Sequence, residues 1–149
     1  MTNHFHDALA SLLSLSAEIH DPWWIIGGTA TALLTGGLED VHDIDVLLSP
    51  ADARRLIAVL GLTDGTDGGT ERFRSEVYAT WTTPPIPIDL LGGFQVRVGD
   101  HWTPVSPKTR RPFETAAGKV FLPSIEEHIE ITKLLGRPRD FERIKRLTA

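Results

Sequence analysis

Three aspartates and a glycine pair stand at spacings that could carry phosphate chemistry. Gly27-Gly28 follow an apolar run and precede a helix-forming segment, Asp43-Ile44-Asp45 begin a second apolar run, and Asp89 lies within a third. A glycine turn before a helix can seat a phosphate, because the backbone comes close and the first helical N–H groups are free. Carboxylates on neighbouring strands can hold two divalent metals beside it. These are the parts that the transfer of a nucleotidyl group requires.

The spacing of the acids suits a shared metal site. Side chains at i and i+2 of a strand face the same side, so Asp43 and Asp45 should point together while Ile44 points into the core. Neighbouring carboxylates repel each other unless a cation neutralises them, and Mg²⁺ prefers carboxylate oxygens. Asp89, set between apolar residues, can supply the third carboxylate from an adjacent strand.

Each feature also has an ordinary structural interpretation. Isolated aspartates are typical of strand ends and turns, and a Gly-Gly pair is typical of a tight turn. Thr29 either adds a hydroxyl to a phosphate site or caps the helix. The order of these residues along the chain, with each acid beside β-forming apolar residues, favours one common site.

The elements that must position these residues follow from hydrophobic periodicity and from glycine and proline punctuation. The first part of the sequence predicts a helix over roughly 4–19, a strand over 23–26, a turn at Gly27-Gly28 and a helix over 29–34. The middle part predicts a strand over 44–48, a helix over 50–60 capped by Ser49, a loop over 63–69, a strand over 72–81, and a strand over 86–91 ended by a tight turn at Gly92-Gly93. The last part predicts loops and short strands over 98–123, a helix from a Ser124/Glu127 capping box, and a final helix from Pro138.

This order predicts an α/β or α+β fold with a mixed sheet flanked by helices. With 149 residues, the chain is expected to form a single domain. We expect an N-terminal helix within 1–20, a catalytic core over 23–97 and C-terminal helices over 124–148.

The amino-acid composition excludes several classes of protein and of functional site. The absence of Cys excludes disulfides, thiolate zinc sites and cysteine nucleophiles. No apolar run is long enough for a membrane helix and no signal peptide is recognisable, so a cytoplasmic protein with no membrane partner is expected. Residues 1–100 carry 5 Lys and Arg against 14 Asp and Glu, whereas residues 101–149 carry 10 against 6. The basic tail fits a contact with phosphates, and ordinary surface variation would also explain it.

The same residues resemble the polymerase-β-like nucleotidyltransferase superfamily, whose pattern is Gly followed by Gly or Ser, then Asp-x-Asp, then a distal Asp. Gly27-Gly28, Asp43, Asp45 and Asp89 match it. The run from Gly27 is more similar to AbiEii-type toxin nucleotidyltransferases and to small antibiotic nucleotidyltransferases. The tail, with Lys133 and the segment 136–140, is similar to the closing Lys…Arg-x-x-Asp motif of the AbiEii group.

The resemblance implies roles for these residues. Asp43 and Asp45 would ligate two Mg²⁺ ions, and Asp89 would complete the metal site and help to deprotonate the acceptor hydroxyl. Lys133 would contact the triphosphate, and Asp140 would orient the triphosphate or the neighbouring basic residues. From the residues themselves, Gly27 and Gly28 are expected to approach an NTP such as ATP.

One departure from the family pattern concerns charge. Relatives usually carry Arg shortly before the acidic pair, whereas this chain has Leu38-Glu39-Asp40-Val41-His42 there. His42 is only a partial substitute near neutral pH, and a loop position explains it equally well. Arg72 and Arg74, on one face of a predicted strand, could supply the missing charge or be ordinary surface arginines.

The leading functional prediction is therefore a metal-dependent transfer of an NMP from an NTP to a hydroxyl acceptor, with release of pyrophosphate. The acceptor could be RNA, protein or a small molecule, and the basic C-terminal segment slightly favours RNA or protein. The competing prediction is a nucleotide-binding module of weak or no activity, such as half of a toxin–antitoxin pair. A homodimer or a partner protein is expected because no second domain is evident for gripping a large acceptor.

Overall fold

A mixed sheet carries the three aspartates and is covered by helices on both faces. The structure, a computed structural model, describes residues 2–65 and 70–149, so part of the loop predicted over 63–69 lies outside the described residues. The helices are α1 (Thr2–Leu13), α2 (Gly27–Thr35), α3 (Pro50–Leu60), α4 (Ile125–Leu135) and α5 (Pro138–Thr148), and the strands are β1 (Trp24–Ile26), β2 (Ile44–Leu48), β3 (Phe73–Trp81), β4 (Ile88–Val98), β5 (His101–Pro104), β6 (Arg111–Thr115) and β7 (Gly118–Leu122).

The sheet places β2 and β4 side by side at its centre. Its order is β1-β2-β4-β3, with β5 paired to β4. The β2–β4 pair is parallel and the other pairs are antiparallel, while β6 and β7 form a separate antiparallel hairpin. This mixed sheet with flanking helices confirms the predicted fold class. None of the helices in the described part of the chain has the length and apolar character needed to span a membrane.

The two faces of the sheet bury two separate hydrophobic clusters. On one face, Ile44 and Val46 pack with residues of α1 and α3, as the alternating pattern predicts. On the other face, Ile26, Leu47 and Leu91 pack with Ile131 and Leu135 of α4. The aspartates lie on this second face, because Asp45 and Asp89 alternate with the core residues of the first.

Two predicted boundaries are wrong. The helix predicted to reach residue 19 ends at Leu13, where the Ser14 hydroxyl donates to the carbonyl of Ser11 at 2.6 Å and competes with the helical backbone pattern. The turn predicted at Gly92-Gly93 is instead the middle of the continuous strand β4. A Cβ built at Gly92 would lie 2.7 Å from Cβ of Ala53 in α3. The glycine therefore permits close packing of the helix on the sheet.

The predicted helix caps are present, with one difference. Ser49 and Ser124 each accept a hydrogen bond from the backbone N–H three residues later, and Gly61 ends α3 in the left-handed region at φ 67°. Glu127 does not complete the predicted capping box. Its carboxylate accepts instead from the backbone N–H groups of Lys108 and Thr109, which ties the segment before β6 to α4.

A fully buried histidine joins α4 to α2. Nε2 of His128 lies 2.9 Å from the hydroxyl oxygen of Thr31, which itself donates to the carbonyl of Gly27 at 3.3 Å, so the network assigns the proton to Nε2. Nδ1 of His128 has no partner among the described residues. Burial and the positive charge of Arg143 lower the pKa of His128 to about 4, against the opposing charge of Asp140.

We expect this histidine to make the fold acid-sensitive. Between pH 6.5 and about 4, His128 is protonated in the unfolded chain and neutral in the folded chain. Protonation therefore favours the unfolded chain, so the free energy of unfolding is highest above pH 6.5 and decreases as the pH falls towards 4. Between pH 7.5 and pH 5, the wild type should lose about 2 kcal/mol more unfolding free energy than His128→Gln, as measured by urea unfolding. Equal losses in the two proteins would contradict this assignment, because the carboxylates titrate alike in both.

Candidate active site

The three aspartates converge at one end of the β2–β4 pair. Asp43 immediately precedes β2, Asp45 is its second residue, and the parallel register places Asp45 directly beside Asp89 of β4. One carboxylate oxygen from each aspartate lies within 4.8 Å of the other two. The cluster offers only oxygen ligands, which is the donor set that Mg²⁺ prefers.

The acids are held in an environment that disfavours their charge. Burial, followed by the negative charges of Asp43 and Asp89, raises the pKa of Asp45 well above its usual value. Burial and the charge of Asp89 also raise the pKa of Asp43, although the arginines of the C-terminal segment oppose this shift. Uncompensated carboxylates at this distance fit a site that is completed by a cation.

Two hydroxyl groups orient Asp89. The Thr80 hydroxyl donates to Oδ1 of Asp89 at 2.7 Å, and the Tyr78 hydroxyl donates to the same oxygen at 3.3 Å. Both donors lie on β3, which pairs with β4 so that Thr80 stands opposite Asp89. No motif predicts this role for either residue, although the alternation along β3 places Tyr78 and Thr80 on one face.

The glycine pair lies beside the acids, as predicted, but its backbone differs from the prediction. It does not form a turn ahead of the helix, because α2 begins at Gly27 itself, directly after β1. Gly27 adopts φ 70°, and a Cβ built there would lie 2.8 Å from Oδ2 of Asp45. The free N–H groups at the start of α2 therefore open beside the carboxylate cluster, where a phosphate can approach both.

Thr29 has a different role from either of those predicted. It is buried, and its hydroxyl donates to the backbone carbonyl of Asp43 at 2.7 Å. The N-cap of α2 is Ile26, with no side-chain hydrogen bond. Thr29 thus fixes the loop that carries Asp43 and does not cap the helix.

Positive charge reaches the site from α5. Asp140 is fully buried and accepts from Nε of Arg137 at 2.7 Å and from Nη1 of Arg143 at 3.1 Å. Although burial alone would raise the pKa of Asp140, its hydrogen bonds and charge pairing with Arg137, together with the charge of Arg143, hold that pKa below its usual value. The guanidinium of Arg143 covers Gly28, because a Cβ built there would lie 2.5 Å from Nη2.

The three aspartates and some of the basic residues line one cavity of about 190 Å³. Its walls include the three aspartates and Gly27, with two cations, Arg74 and Arg137. The positive charge that this sequence lacks before Asp43 is therefore supplied by Arg74 on β3 and by Arg137 in the segment that begins α5.

Other predicted cations lie elsewhere. Lys133 is more than half exposed on α4, pairs with Glu130 at 3.3 Å and is not part of the cavity wall. Arg72 donates to the carbonyl of Leu135 at 2.9 Å and so closes the C-terminal end of α4. His42 is exposed. Arg137 and Arg143 were not predicted as site residues, although Arg137 belongs to the same sequence motif as Asp140.

We expect Asp140→Asn to destabilise the fold. The change leaves two half-buried guanidinium groups without their buried carboxylate, which should cost about 2 kcal/mol of unfolding free energy. Urea unfolding would measure this loss.

The matched control is Glu142→Gln, on the same helix, which removes an exposed carboxylate paired with Lys145. This variant should leave the unfolding free energy unchanged. Wild-type stability in Asp140→Asn would contradict the role given to the buried ion pairs.

Comparison with known proteins supports the fold. Neither a protein-family model nor a curated protein matches the chain. Among solved structures, the chain is similar to a provisionally assigned nucleotidyltransferase (TM1012) from Thermotoga maritima, with 21% identity and a TM-score of 0.67 over 92% of this chain and 89% of that one.

Two further solved structures are similar to the chain. The lincosamide antibiotic adenylyltransferase LnuA, solved with lincomycin bound, gives 15% identity and a TM-score of 0.62 over 95% of each chain. The antibiotic-resistance factor ANT(2'')-Ia gives 17% identity and a TM-score of 0.58 over 99% of this chain and 84% of that one. These likenesses confirm the fold that the sequence resemblance predicts.

Proposed function

We propose that this chain, which has the nucleotidyltransferase fold, transfers a nucleoside monophosphate from an NTP to a hydroxyl acceptor and releases pyrophosphate. The convergence of Asp43, Asp45 and Asp89 within 4.8 Å, beside the start of α2, is the observation that carries the proposal. The likeness to an adenylyltransferase over 95% of this chain agrees with it.

The acid cluster would hold Mg²⁺. Its donors are all oxygens, and the raised pKa values of Asp43 and Asp45 indicate charge that a cation would relieve. Two bound Mg²⁺ ions would activate the attacking oxygen and stabilise the leaving pyrophosphate. We propose that Asp43, Asp45 and Asp89 are the ligands.

The remaining groups bind and orient the substrates. The triphosphate would be bound by the N–H groups at the start of α2 and by Arg137 and Arg143. These N–H groups and guanidinium groups offer positive charge to phosphate oxygens. Asp89, held by Thr80 and Tyr78, would accept the proton of the acceptor hydroxyl. The acceptor oxygen would then bond to the α-phosphorus as the bond to pyrophosphate breaks.

The direct test uses NTPs labelled in the α-phosphate, incubated with and without Mg²⁺ and with hydroxylated small molecules, cell RNA or cell protein as acceptors. We expect Mg²⁺-dependent transfer of label and release of pyrophosphate. Asp89→Asn should lower the rate by about 100-fold or more, through loss of a proton acceptor and a metal ligand. The matched control is Asp100→Asn, an exposed aspartate in the turn between β4 and β5.

A different outcome would identify the competing function. NTP binding that does not depend on Mg²⁺, together with no transfer to any acceptor, would favour a nucleotide-binding module without turnover. Equal rates in Asp89→Asn and Asp100→Asn would remove Asp89 from the mechanism.

A further inference from the structure

The start of α2 is held in place by contacts from other elements. Its N-cap residue, Ile26, makes no side-chain hydrogen bond, and the helix begins with two glycines. Glycine has the freest backbone of all residues, so this pair does not fix its own position. The N–H groups that open beside the acid cluster therefore depend on side chains that pack on the first turn of α2.

Three side-chain contacts hold this first turn. Thr29 ties it to the loop before β2, and the guanidinium of Arg143 covers it from α5. The third contact comes from α4, where Nε2 of His128 lies 2.9 Å from the hydroxyl oxygen of Thr31. This contact is buried on both sides, because His128 is fully buried and Thr31 is 1% exposed.

The hydrogen bonds lead from His128 to the acid cluster. Burial, followed by the charge of Arg143, lowers the pKa of His128 to about 4, so the ring is neutral near pH 7 and carries one N–H group. The Thr31 hydroxyl donates its only proton to the carbonyl of Gly27 at 3.3 Å, so Nε2 of His128 donates to Thr31. A Cβ built at Gly27 would lie 2.8 Å from Oδ2 of Asp45. A shift of Thr31 would therefore move the backbone that faces the carboxylates.

Packing alone does not explain a histidine at position 128. Its Nδ1 has no hydrogen-bond partner among the described residues, and a buried polar atom without a partner costs free energy. If the ring were replaced by an apolar side chain, the Thr31 hydroxyl would still donate to Gly27, so no donor would be left unpaired. A residue that costs stability in this way is typical of a functional site.

We propose that His128 is a positioning residue for nucleotidyl transfer, which holds Gly27 beside the acid cluster through the hydroxyl of Thr31. This inference rests on the proposed function and gives a role in it to a residue that lies outside the cavity wall. His128 acts on the position of the N–H groups at the start of α2 and does not itself contact the substrates.

The test compares His128→Leu with His128→Gln in transfer from labelled ATP. Leu removes the N–H group and keeps a side chain of similar size, whereas the amide of Gln can still donate to Thr31. We expect kcat/KM to fall about 10-fold in His128→Leu and to stay within about twofold of the wild type in His128→Gln. Urea unfolding at pH 7.5 should find His128→Leu at least as stable as the wild type. A loss of stability without a loss of rate in the folded protein would overturn the proposal.

Thr31→Val tests the same contact from α2 and decides the question if His128→Leu does not fold. It removes the hydroxyl and keeps the shape, and kcat/KM should again fall about 10-fold. The double variant should lose no more than either single variant, because both changes break one path. The matched control is Thr132→Val, which removes a buried hydroxyl that donates within α4 to the carbonyl of His128 at 2.7 Å. Equal losses in Thr31→Val and Thr132→Val would overturn the proposal.

The amide signals of Gly27 and Gly28 separate this inference from the proposed function, since NMR records them without nucleotide. Both signals should shift or broaden in His128→Leu and stay in place in His128→Gln. Wild-type signals and a wild-type rate in His128→Leu would overturn the role of His128 and leave the proposed function intact. If the signals shifted as expected but the wild type transferred no label, nucleotidyl transfer would be wrong, and the role of His128 in it would be wrong as well.

Discussion

Asp45→Asn is expected to abolish nucleotidyl transfer and, at the same time, to raise the melting temperature of the metal-free protein. Asp45 stands between two other carboxylates, and its charge is disfavoured by burial and by repulsion from both. Asn keeps the size of the side chain and removes the charge. Relief of on the order of 1 kcal/mol of repulsion would raise the melting temperature by about 2–4 °C in a chain of this length.

The loss of activity has a separate cause. Without its central carboxylate the cluster offers one metal ligand fewer, and transfer should fall by more than about 100-fold. Melting curves with and without Mg²⁺ distinguish the two effects. Mg²⁺ should stabilise the wild type and give little stabilisation to the variant. A variant that melts below the wild type without metal, beside an unchanged Asp100→Asn control, would show that Asp45 does not carry this strain.

The second large effect is expected from Gly27→Ala. A side chain at φ 70° is strained by about 1 kcal/mol, and the added Cβ would meet Oδ2 of Asp45 at 2.8 Å. Either the carboxylate or the start of α2 must move. Because a displacement of about 1 Å can cost 100-fold in rate, transfer should fall by about that factor.

Gly61→Ala is the matched control for Gly27→Ala. Gly61 has φ 67°, yet a Cβ built there meets nothing within 4 Å, so this variant suffers the backbone strain without the collision. Both variants should lose the stability that the backbone strain costs, and Gly27→Ala should lose more because of the collision, whereas only Gly27→Ala should lose transfer activity. Equal activity in the two variants would rule out contact between Gly27 and the acid cluster as a determinant of rate.

The acid cluster was predictable from the sequence because alternation and apolar flanks determine strand positions. Asp45 and Asp89 each lie within a run of apolar residues that is typical of a buried strand. Once β2 and β4 pair, the two aspartates must therefore lie on the same face of the sheet. The pairing of β3 with β4, which places Thr80 and Tyr78 beside Asp89, is not evident from the sequence, so their hydrogen bonds to Asp89 could not be predicted.

The cations were harder to predict, because their position depends on how helices pack. Helical spacing allowed Lys133 to reach a cleft, but the rotation of α4 on the sheet leaves this side chain exposed beside Glu130. Arg143 reaches Gly28 only because α5 lies along α2, where Arg146 also donates to the carbonyl of Gly36 at 2.6 Å. Contacts between distant helices of this kind have no local sequence signal.

The error at Gly92-Gly93 has a similar origin. A glycine pair predicts a turn when only the neighbouring residues are considered. Here the absence of a side chain at Gly92 serves the approach of α3, a helix some forty positions earlier in the chain.

The separation in sequence between the acids and the arginines has a consequence for biosynthesis. A ribosome delivers Asp43, Asp45 and Asp89 well before Arg137 and Arg143. Of the two cations that line the acid cavity, Arg74 is synthesised before the C-terminal segment and Arg137 only with it. The carboxylates therefore acquire their full counter-charge only when this segment is in place.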